Sequence, residues 1–405
     1  MAEPNSNQGN LTQFRILTGS YEHNLLCLSL IVPRNPEKTP VFQPIFHFES
    51  HSLSIYSISS SKRYLVTGSK DEHVKIYDLQ KRKELGDLLA HQGSVNTLKF
   101  SNNGKWLLSG SNDNTIIIWG VQDWELFGKL KGHKDAVNDL AIHPSNKIAI
   151  SCSNDNTLRL WNLMTVKKAA VLKLKYKITK AQKPQIIRWS LEGNYFVVAL
   201  MNRVLIYDTN TSKVVHIMKM KHTIMHMEIY KIKEVEYLVI SLNNASIEFF
   251  DLHKVIDSHK DDDEEEEEEE TKKPDEPEFR LIGHASRVKD FKLFQPSDCD
   301  TVFFISISSD GKIVVWNMDT KDQIAVYDAG ERLNCVEVVP EAVEKTATMR
   351  KRQLEATDSG YKTESEYETD GEGSRKILFG TGGNKKKRTK NKKMKRENKA
   401  SVEIE

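Results

Sequence analysis

The amino-acid sequence predicts an all-β chain: a seven-bladed propeller closed by strands from both of its ends. Three observations carry this. A polar pattern recurs at a fixed interval, with His91 to His133, Asp71 to Asp113, Asp113 to Asp155 and Trp119 to Trp161 each spaced by 42 residues. Each copy opens on Gly-His or a near relative and ends on Trp or Tyr, and a period of about 40 to 45 residues with those marks specifies one four-stranded blade. Between the marks, apolar and polar residues alternate as they do in half-buried strands.

The blades follow in order along the chain. The first carries Ser50-His51, Ser69-Lys70-Asp71 and Ile76-Tyr77; the second Ala90-His91, Ser111-Asn112-Asp113 and Ile118-Trp119; the third Gly132-His133, Ser153-Asn154-Asp155 and Leu160-Trp161. The fourth is degenerate: Gln185 to Ser190, Tyr195 to Leu200 and Val204 to Asp208 alternate, but the Gly-His and the turn Asp are gone. The fifth keeps only the alternation of Ile224 to Ile229, Tyr237 to Ser241 and Ile247 to Asp251. The sixth is sharp again, with Gly283-His284, Ser308-Ser309-Asp310 and Val315-Trp316. For the seventh, Leu17 to Leu30 aligns without a gap against Val66 to Leu79 and supplies two inner strands, while Leu333 to Val339 matches Val95 to Phe100 and supplies the innermost. Closing the ring in this way removes exposed sheet edges.

Length and charge set the organisation around that ring. At 405 residues the chain is long enough for two or three ordinary domains, but seven blades take roughly 300 residues. The net charge of +2 conceals two extremes: Asp261 to Glu270 is ten consecutive acids, and Lys385 to Arg396 holds nine basic residues in twelve. The expected division is a disordered stretch over 1–13, the propeller over 14–340 with an acidic insertion at 254–278, and a tail over 341–405. That tail is acidic, then basic, and mostly disordered, with a short apolar element at 376–380. Within each repeat the Gly-His loop and the Asp turn share one face. The insertion and both chain ends leave from the opposite face, so the Gly-His side is open for docking.

Compartment signals point inside the cell. No run approaches the ~18 apolar residues of a membrane span, and the start lacks a basic segment followed by an apolar core. No membrane association is expected. Cys27, Cys152, Cys299 and Cys335 have no CxxC or Cys/His ligand spacing, so they read as reduced thiols, the first two inside strands.

The recurring polar residues have the composition of a hydrolase triad: His91, Ser109 and Asp113; His133, Ser151 and Asp155; His284, Ser306 and Asp310. An active site is needed once, however, and this set returns in each sharp blade beside Trp119, Trp161 or Trp316. A fully paired buried network that fixes the fold is the expected role. Asp113→Ala should therefore lower the unfolding temperature, and loss of a catalytic rate at unchanged stability would contradict the structural role. No phosphate loop, HExxH or GxSxG is present, and no catalytic residue, metal site or cofactor is expected. Gly380-Thr-Gly-Gly383 lacks a following helix and reads as a hinge.

Function then falls to surfaces and tails. Around the opening of the Gly-His face, Lys70, Asn112, Lys134, Asn154, Arg287 and Ser309 are the candidate partner contacts, because each lies in a turn or where a first strand begins. In the tail, Lys385, Lys386, Lys387, Arg388, Lys390, Lys392, Lys393, Lys395 and Arg396 read as nuclear import or non-specific phosphate contact. Ser365 and Thr369, set among acids, read as acceptors for an acid-directed kinase. Phosphorylation there would mask the basic run, an expectation that equal RNA retention by both forms would sink. The acidic run reads as a solvated spacer, or else as a lure for basic proteins.

Four peptides depart from the generic repeat: Gly19 to Leu25, Phe46-His-Phe48 with His51 to Ile55, Lys70 to Asp78, and Gly330 to Cys335. With them the chain resembles the WD-repeat (WD40) family of the fungal maintenance-of-killer protein and the animal PAK-kinase-interacting proteins, over residues 14 to 340, the 376–380 element and the lysine-rich tail. The resemblance implies a non-catalytic scaffold in biogenesis of the large (60S) ribosomal subunit, nuclear and nucleolar, needed for rRNA maturation. The implied partners are pre-60S ribosomal proteins and assembly factors, with pre-rRNA reached through the tail. It also implies an alternative, a negative regulator that binds a p21-activated kinase directly. A ubiquitin-ligase adaptor is disfavoured, because Trp161 and Trp316 are each followed by Asn without the Trp-Asp-x-Arg arrangement.

Overall fold

The structure is a computed structural model and describes residues 11–33, 38–257, 275–296 and 300–341. The acidic run, residues 357–374 with their acceptor sites, the 376–380 element, the basic tail and Cys299 lie outside the described residues.

The strands pair into seven antiparallel sheets of four. Blade one runs from Ile55–Ser61 at the centre outward through Tyr64–Ser69 and Val74–Asp78 to Lys83–Leu88. Blade two spans Val95–Phe100 to Leu126–Lys131, blade three Val137–Ile142 to Lys167–Lys173, and blade four Ile186–Trp189 to Val214–Lys219. Blade five spans Ile224–Ile232 to Phe279–Ile282 and blade six Val288–Phe294 to Asp322–Asp328. In the tight turn between second and third strands the residue after the turn Asp or Asn is left-handed: Asn114, Asn156 and Gly311 have φ of 65°, 57° and 82°. Asn and Gly tolerate that conformation, which explains the Asp-Asn and Asp-Gly pairs of the sequence.

Blade seven is the composite one, ordered Leu333–Pro340, Leu11–Ser20, Asn24–Pro33, Val41–Glu49. The sequence reading had assigned its two inner strands to the N-terminal segment; that segment also supplies the outermost, which contains a proline at position 44 and was not recognised. The seam pairs Phe14 with Pro340 through to Ser20 with Leu333. Arg15, fully buried, locks it: Nη2 donates to Glu341 Oε1 at 2.8 Å and Nε to Oε2 at 3.1 Å, while the Ser29 hydroxyl donates to the same carboxylate at 2.9 Å. The propeller therefore runs from Leu11 to Glu341, slightly wider than 14–340.

Apolar packing is concentrated between blades. Leu17, Leu25 and Cys27 of blade seven meet Ile55 and Tyr77 of blade one, and Phe14, Ile16 and Leu28 meet Phe303, Ile305 and Val315 of blade six. Burying each such side chain stabilises the ring by roughly 1.5–3 kcal/mol. Cys335 is buried in a strand, as are Cys27 and Cys152.

The acidic insertion is narrower than 254–278. Leu252–Asp257 is a helix whose apolar i, i+3, i+4 positions, Leu252, Val255 and Ile256, are buried. Asp251 Oδ1 caps it, accepting from the His253 and Lys254 N–H groups at 3.0 and 3.2 Å. On the return, Asp275 lies 3.1 Å from His216 Nε2, and Glu278 accepts from the Tyr237 hydroxyl at 2.9 Å and pairs with Lys254. Both anchors belong to the ring.

Candidate docking face and central channel

In each sharp blade the recurring polar residues form one chain of hydrogen bonds. In blade three Trp161 Nε1–H donates to Ser151 Oγ at 2.8 Å, Ser151 Oγ lies 2.8 Å from His133 Nε2, and His133 Nδ1 lies 3.1 Å from Asp155 Oδ2. Blade two repeats it through Trp119, Ser109, His91 and Asp113 at 2.9, 2.8 and 3.0 Å. Blade six does so through Trp316, Ser306 and His284 at 2.9 and 2.8 Å, with Asp310 3.5 Å from His284. In blade one Thr67 takes the place of Ser, with His51 Nε2 2.7 Å from Thr67 Oγ1 and His51 Nδ1 2.9 Å from Asp71 Oδ2. Gly precedes His because a Cβ on Gly283 would fall 2.6 Å from the Trp316 ring.

In blades two and three a neutral imidazole protonated on Nδ1 satisfies every member: indole N–H to Ser, Ser O–H to Nε2, Nδ1–H to carboxylate. In blade six His284 Nδ1 stands 3.5 Å from Asp310 and makes no hydrogen bond. Burial pushes the His133 and His284 imidazoles below their ordinary values, against the pull of Asp155 and Asp310, and so favours the neutral form. Burial also pushes Asp155 upward, but hydrogen bonds from Thr157, the Lys134 N–H and His133 outweigh it and hold the carboxyl at about 2. The serines are fully buried and their lone pairs are engaged by Trp. A substrate carbonyl has no access to them, so the arrangement ties an outer loop to inner strands.

A second polar system, which sequence reasoning missed, lines the centre of the ring. Arg188 bridges Asp139 and Glu228, with Nε 2.8 Å from Glu228 Oε2, and Lys99 Nζ lies 3.8 Å from the same carboxylate. His226 Nε2 lies 3.1 Å from Asp290 Oδ1, and Lys292 Nζ 3.8 Å from Glu337. Two of these carboxylates also bind the next blade: Asp139 accepts the Ile187 N–H at 3.2 Å and Asp290 the Val336 N–H at 2.9 Å. Burial alone would raise Glu228, but Arg188, Lys99 and Lys292 hold it far below the carboxylate range, while burial drives His226 down to about 4. The network is internally compensated and holds neighbouring blades in register.

Lys99, Asp139, Arg188, His226, Asp290 and Lys292 of this network also line a cavity of about 550 Å³ to which all seven blades contribute. Tyr21, Tyr56, Arg287, Lys289, Ser309 and Arg332 are part of that lining. Among the described residues no carboxylate forms an ion pair with the side chains of Arg287, Lys289 or Arg332, although Glu22 accepts the Arg332 backbone N–H at 3.1 Å, so the three side chains give the mouth a cationic rim. Tyr21 and Tyr56 are 52% and 38% exposed there.

Arg287 and Ser309 meet directly at the mouth, Nε to Oγ 3.1 Å. Lys70 and Lys134 are exposed on the same face. Asn112 and Asn154 have a different occupation from the contact role expected of them: each accepts from the inner-strand amide of Asn96 or Asn138, at 2.7 and 2.8 Å. The same amides donate across the blade boundary to the Val137 and Pro184 carbonyls. Tyr56, Asn96, Asn138 and Lys289 share one place, second in the innermost strand, and tabulating that position across the repeats would have exposed the rim.

A family model described as WD domain, G-beta repeat matches residues 42–78, 82–120 and 124–162. The chain is 47% identical to Protein MAK11 of Saccharomyces cerevisiae, over 98% of this chain and 99% of that protein. It is 32% identical to p21-activated protein kinase-interacting protein 1 of Homo sapiens, over 72% of this chain and 68% of that protein. It is 29% identical to the p21-activated protein kinase-interacting protein 1-like protein of Gallus gallus, over 75% and 73%. With the repeats, the closed ring and similarity along nearly its whole length in place, the chain belongs to the WD-repeat family that includes Protein MAK11 and the p21-activated protein kinase-interacting proteins.

Proposed function

We propose that this chain is a non-catalytic scaffold in the assembly of the large ribosomal subunit, nuclear and nucleolar, docking on pre-ribosomal particles through its Gly-His face. The observation that carries the reading is the near-complete similarity to Protein MAK11, which extends beyond the generic repeat. The family resemblance supplies the ribosomal role, and the recurrence and burial of the His-Ser-Asp-Trp chains favour a structural over a hydrolytic use of those residues. The cationic mouth with its exposed tyrosines suits acidic, partly apolar segments of assembly factors or ribosomal proteins. The basic tail supplies nuclear import and pre-rRNA contact.

The test is sedimentation of the tagged full chain from a gentle cell extract, with and without ribonuclease, followed by probing for large-subunit precursor RNA. Co-migration with particles that collapses on ribonuclease treatment is the expected result. Free migration with no precursor RNA would contradict it. The kinase reading is favoured by one observation, the similarity to animal proteins named p21-activated protein kinase-interacting protein 1. It predicts instead that the free protein captures a p21-activated kinase and lowers its activity.

A further inference from the structure

From residue 156 to residue 191 the chain contains no Asp or Glu, and it carries seven lysines, Lys167, Lys168, Lys173, Lys175, Lys177, Lys180 and Lys183. The fold spreads these along the outermost strand of blade three and the connection that leads from it to the innermost strand of blade four. Lys167–Lys173 is the outermost strand of blade three, with one edge paired to Thr157–Asn162 and the other directed away from the ring. Its continuation crosses onto the Gly-His face as a single turn, Tyr176–Thr179, ended by Lys180 and Ala181 in left-handed conformation. All seven lysines are exposed, and so is Tyr176, at 72%.

Lysines on a sheet edge also discourage edge-to-edge pairing, but the outer strands of blades one and six carry acids as well, and those of blades two and four hold only two and one lysines. Glu84 and Asp87 accompany Lys83 in blade one, and blade six has Asp322 and Asp328. Here the carboxylates are missing. Lys183 has Asp135 at 3.7 Å, whereas Lys167, Lys168, Lys173 and Lys175 have no carboxylate partner among the described residues. Exposed lysines concentrated in this way, with Lys167, Lys168, Lys173 and Lys175 outside any carboxylate pair among the described residues, are the electrostatic footprint of a polyanion site.

We infer that the outer edge of blade three, with the connection that follows it, is an RNA-binding ridge that grips the phosphate backbone without reading sequence. Seven strand residues span about 20 Å, the length of several consecutive phosphates at ~3.4 Å per strand. Lysine is a point charge that suits phosphate without demanding fixed geometry. Tyr176 offers a ring on which an unpaired base can stack. The inference stands apart from the docking role of the channel mouth, because it is read on purified protein and the docking role in cell extract.

The experiment uses the full chain with the nine basic residues of 385–396 replaced by Gln, so that the tail is silent. Fluorescence anisotropy follows binding of a ~20-base-pair RNA hairpin with a single-stranded flank over a salt series, before and after Lys167→Gln, Lys168→Gln, Lys173→Gln and Lys175→Gln. Affinity should fall about tenfold or more near 100 mM salt, and the slope of log K against log salt should flatten by roughly 2 to 4, about 0.9 per lost contact. Arg at the same four positions should restore binding, and each single Gln substitution should flatten the slope by about 0.9. Unchanged affinity and slope in a folded variant would overturn the inference. So would loss of a polyglutamate peptide with RNA binding intact, which would make the ridge a protein site.

Discussion

Blades three and five hold an outer strand to the same three inner positions with different chemistry. In blade three Trp161, Ser151, His133 and Asp155 form the hydrogen-bonded chain. The strand registers place Phe250 where Trp161 stands and Ile240 where Ser151 stands. Counting back from the inner strand puts Met220 in the place of His133, and Asn244 replaces the turn Asp. Ile240, Phe250 and Met220 belong to one apolar cluster shared with blade four, to which the helix Leu252–Asp257 adds Leu252, Val255 and Ile256. Asn244 keeps the turn role alone, accepting the Ser246 N–H at 3.2 Å and hydroxyl at 2.8 Å, as Asp155 accepts those of Thr157 at 2.9 and 2.6 Å. The fold accepts a fully paired polar chain in blade three and a fully apolar set in blade five, and in blade six it tolerates one loosened link, His284 Nδ1 at 3.5 Å from Asp310. Half of either would bury an orphaned donor or acceptor, which costs more than the net worth of a hydrogen bond.

The comparison can be broken most severely on its apolar side. Phe250→Ala should cost about 3–5 kcal/mol by the cavity it leaves, read as a large fall in the denaturation midpoint. Asp155→Ala should cost about 2–3 kcal/mol, because His133 Nδ1 and the Thr157 hydroxyl lose their acceptor while buried neighbours prevent full rehydration. Exchanging the whole set in blade three, His133→Met, Ser151→Ile, Trp161→Phe and Asp155→Asn, should cost less than the four single changes summed; additive losses would refute the all-or-none account.

Acid sharpens the same point. Asp155 is held at about 2 when folded, below an ordinary carboxylate. Its stabilising contribution is therefore complete above roughly pH 4 and is lost as pH falls through 2. Urea midpoints should decline over that window in the native chain and decline less in the fourfold exchange. The smallest effect is expected for Lys134→Glu with Arg287→Glu, both exposed, which should change stability by less than about 0.5 kcal/mol.

The ring was legible in the sequence because its marks are local: His, Asp and Trp recur within each repeat, so the 42-residue spacing reports the blades directly. Blades four and five remained visible through alternation, which survives when the polar chain is exchanged for Phe250 and Ile240. The channel network was not legible, since Lys99, Asp139, Arg188, Glu228 and Asp290 come from different blades and meet only when the ring closes. The helix Leu252–Asp257 was hidden by its length and by the acids that follow. Of the docking candidates, Arg287 was placed at the mouth, whereas Lys289, Arg332, Tyr21 and Tyr56 were overlooked because neither Gly-His nor the turn Asp marks them.

The central claim is that the Gly-His face docks this scaffold on large-subunit precursors. It is tested most directly by purifying the tagged full chain and its Lys134→Glu, Arg287→Glu form from extract and measuring the large-subunit precursor RNA recovered with each. The account predicts a loss of most of that RNA at unchanged unfolding temperature. Equal recovery by the two forms would contradict it.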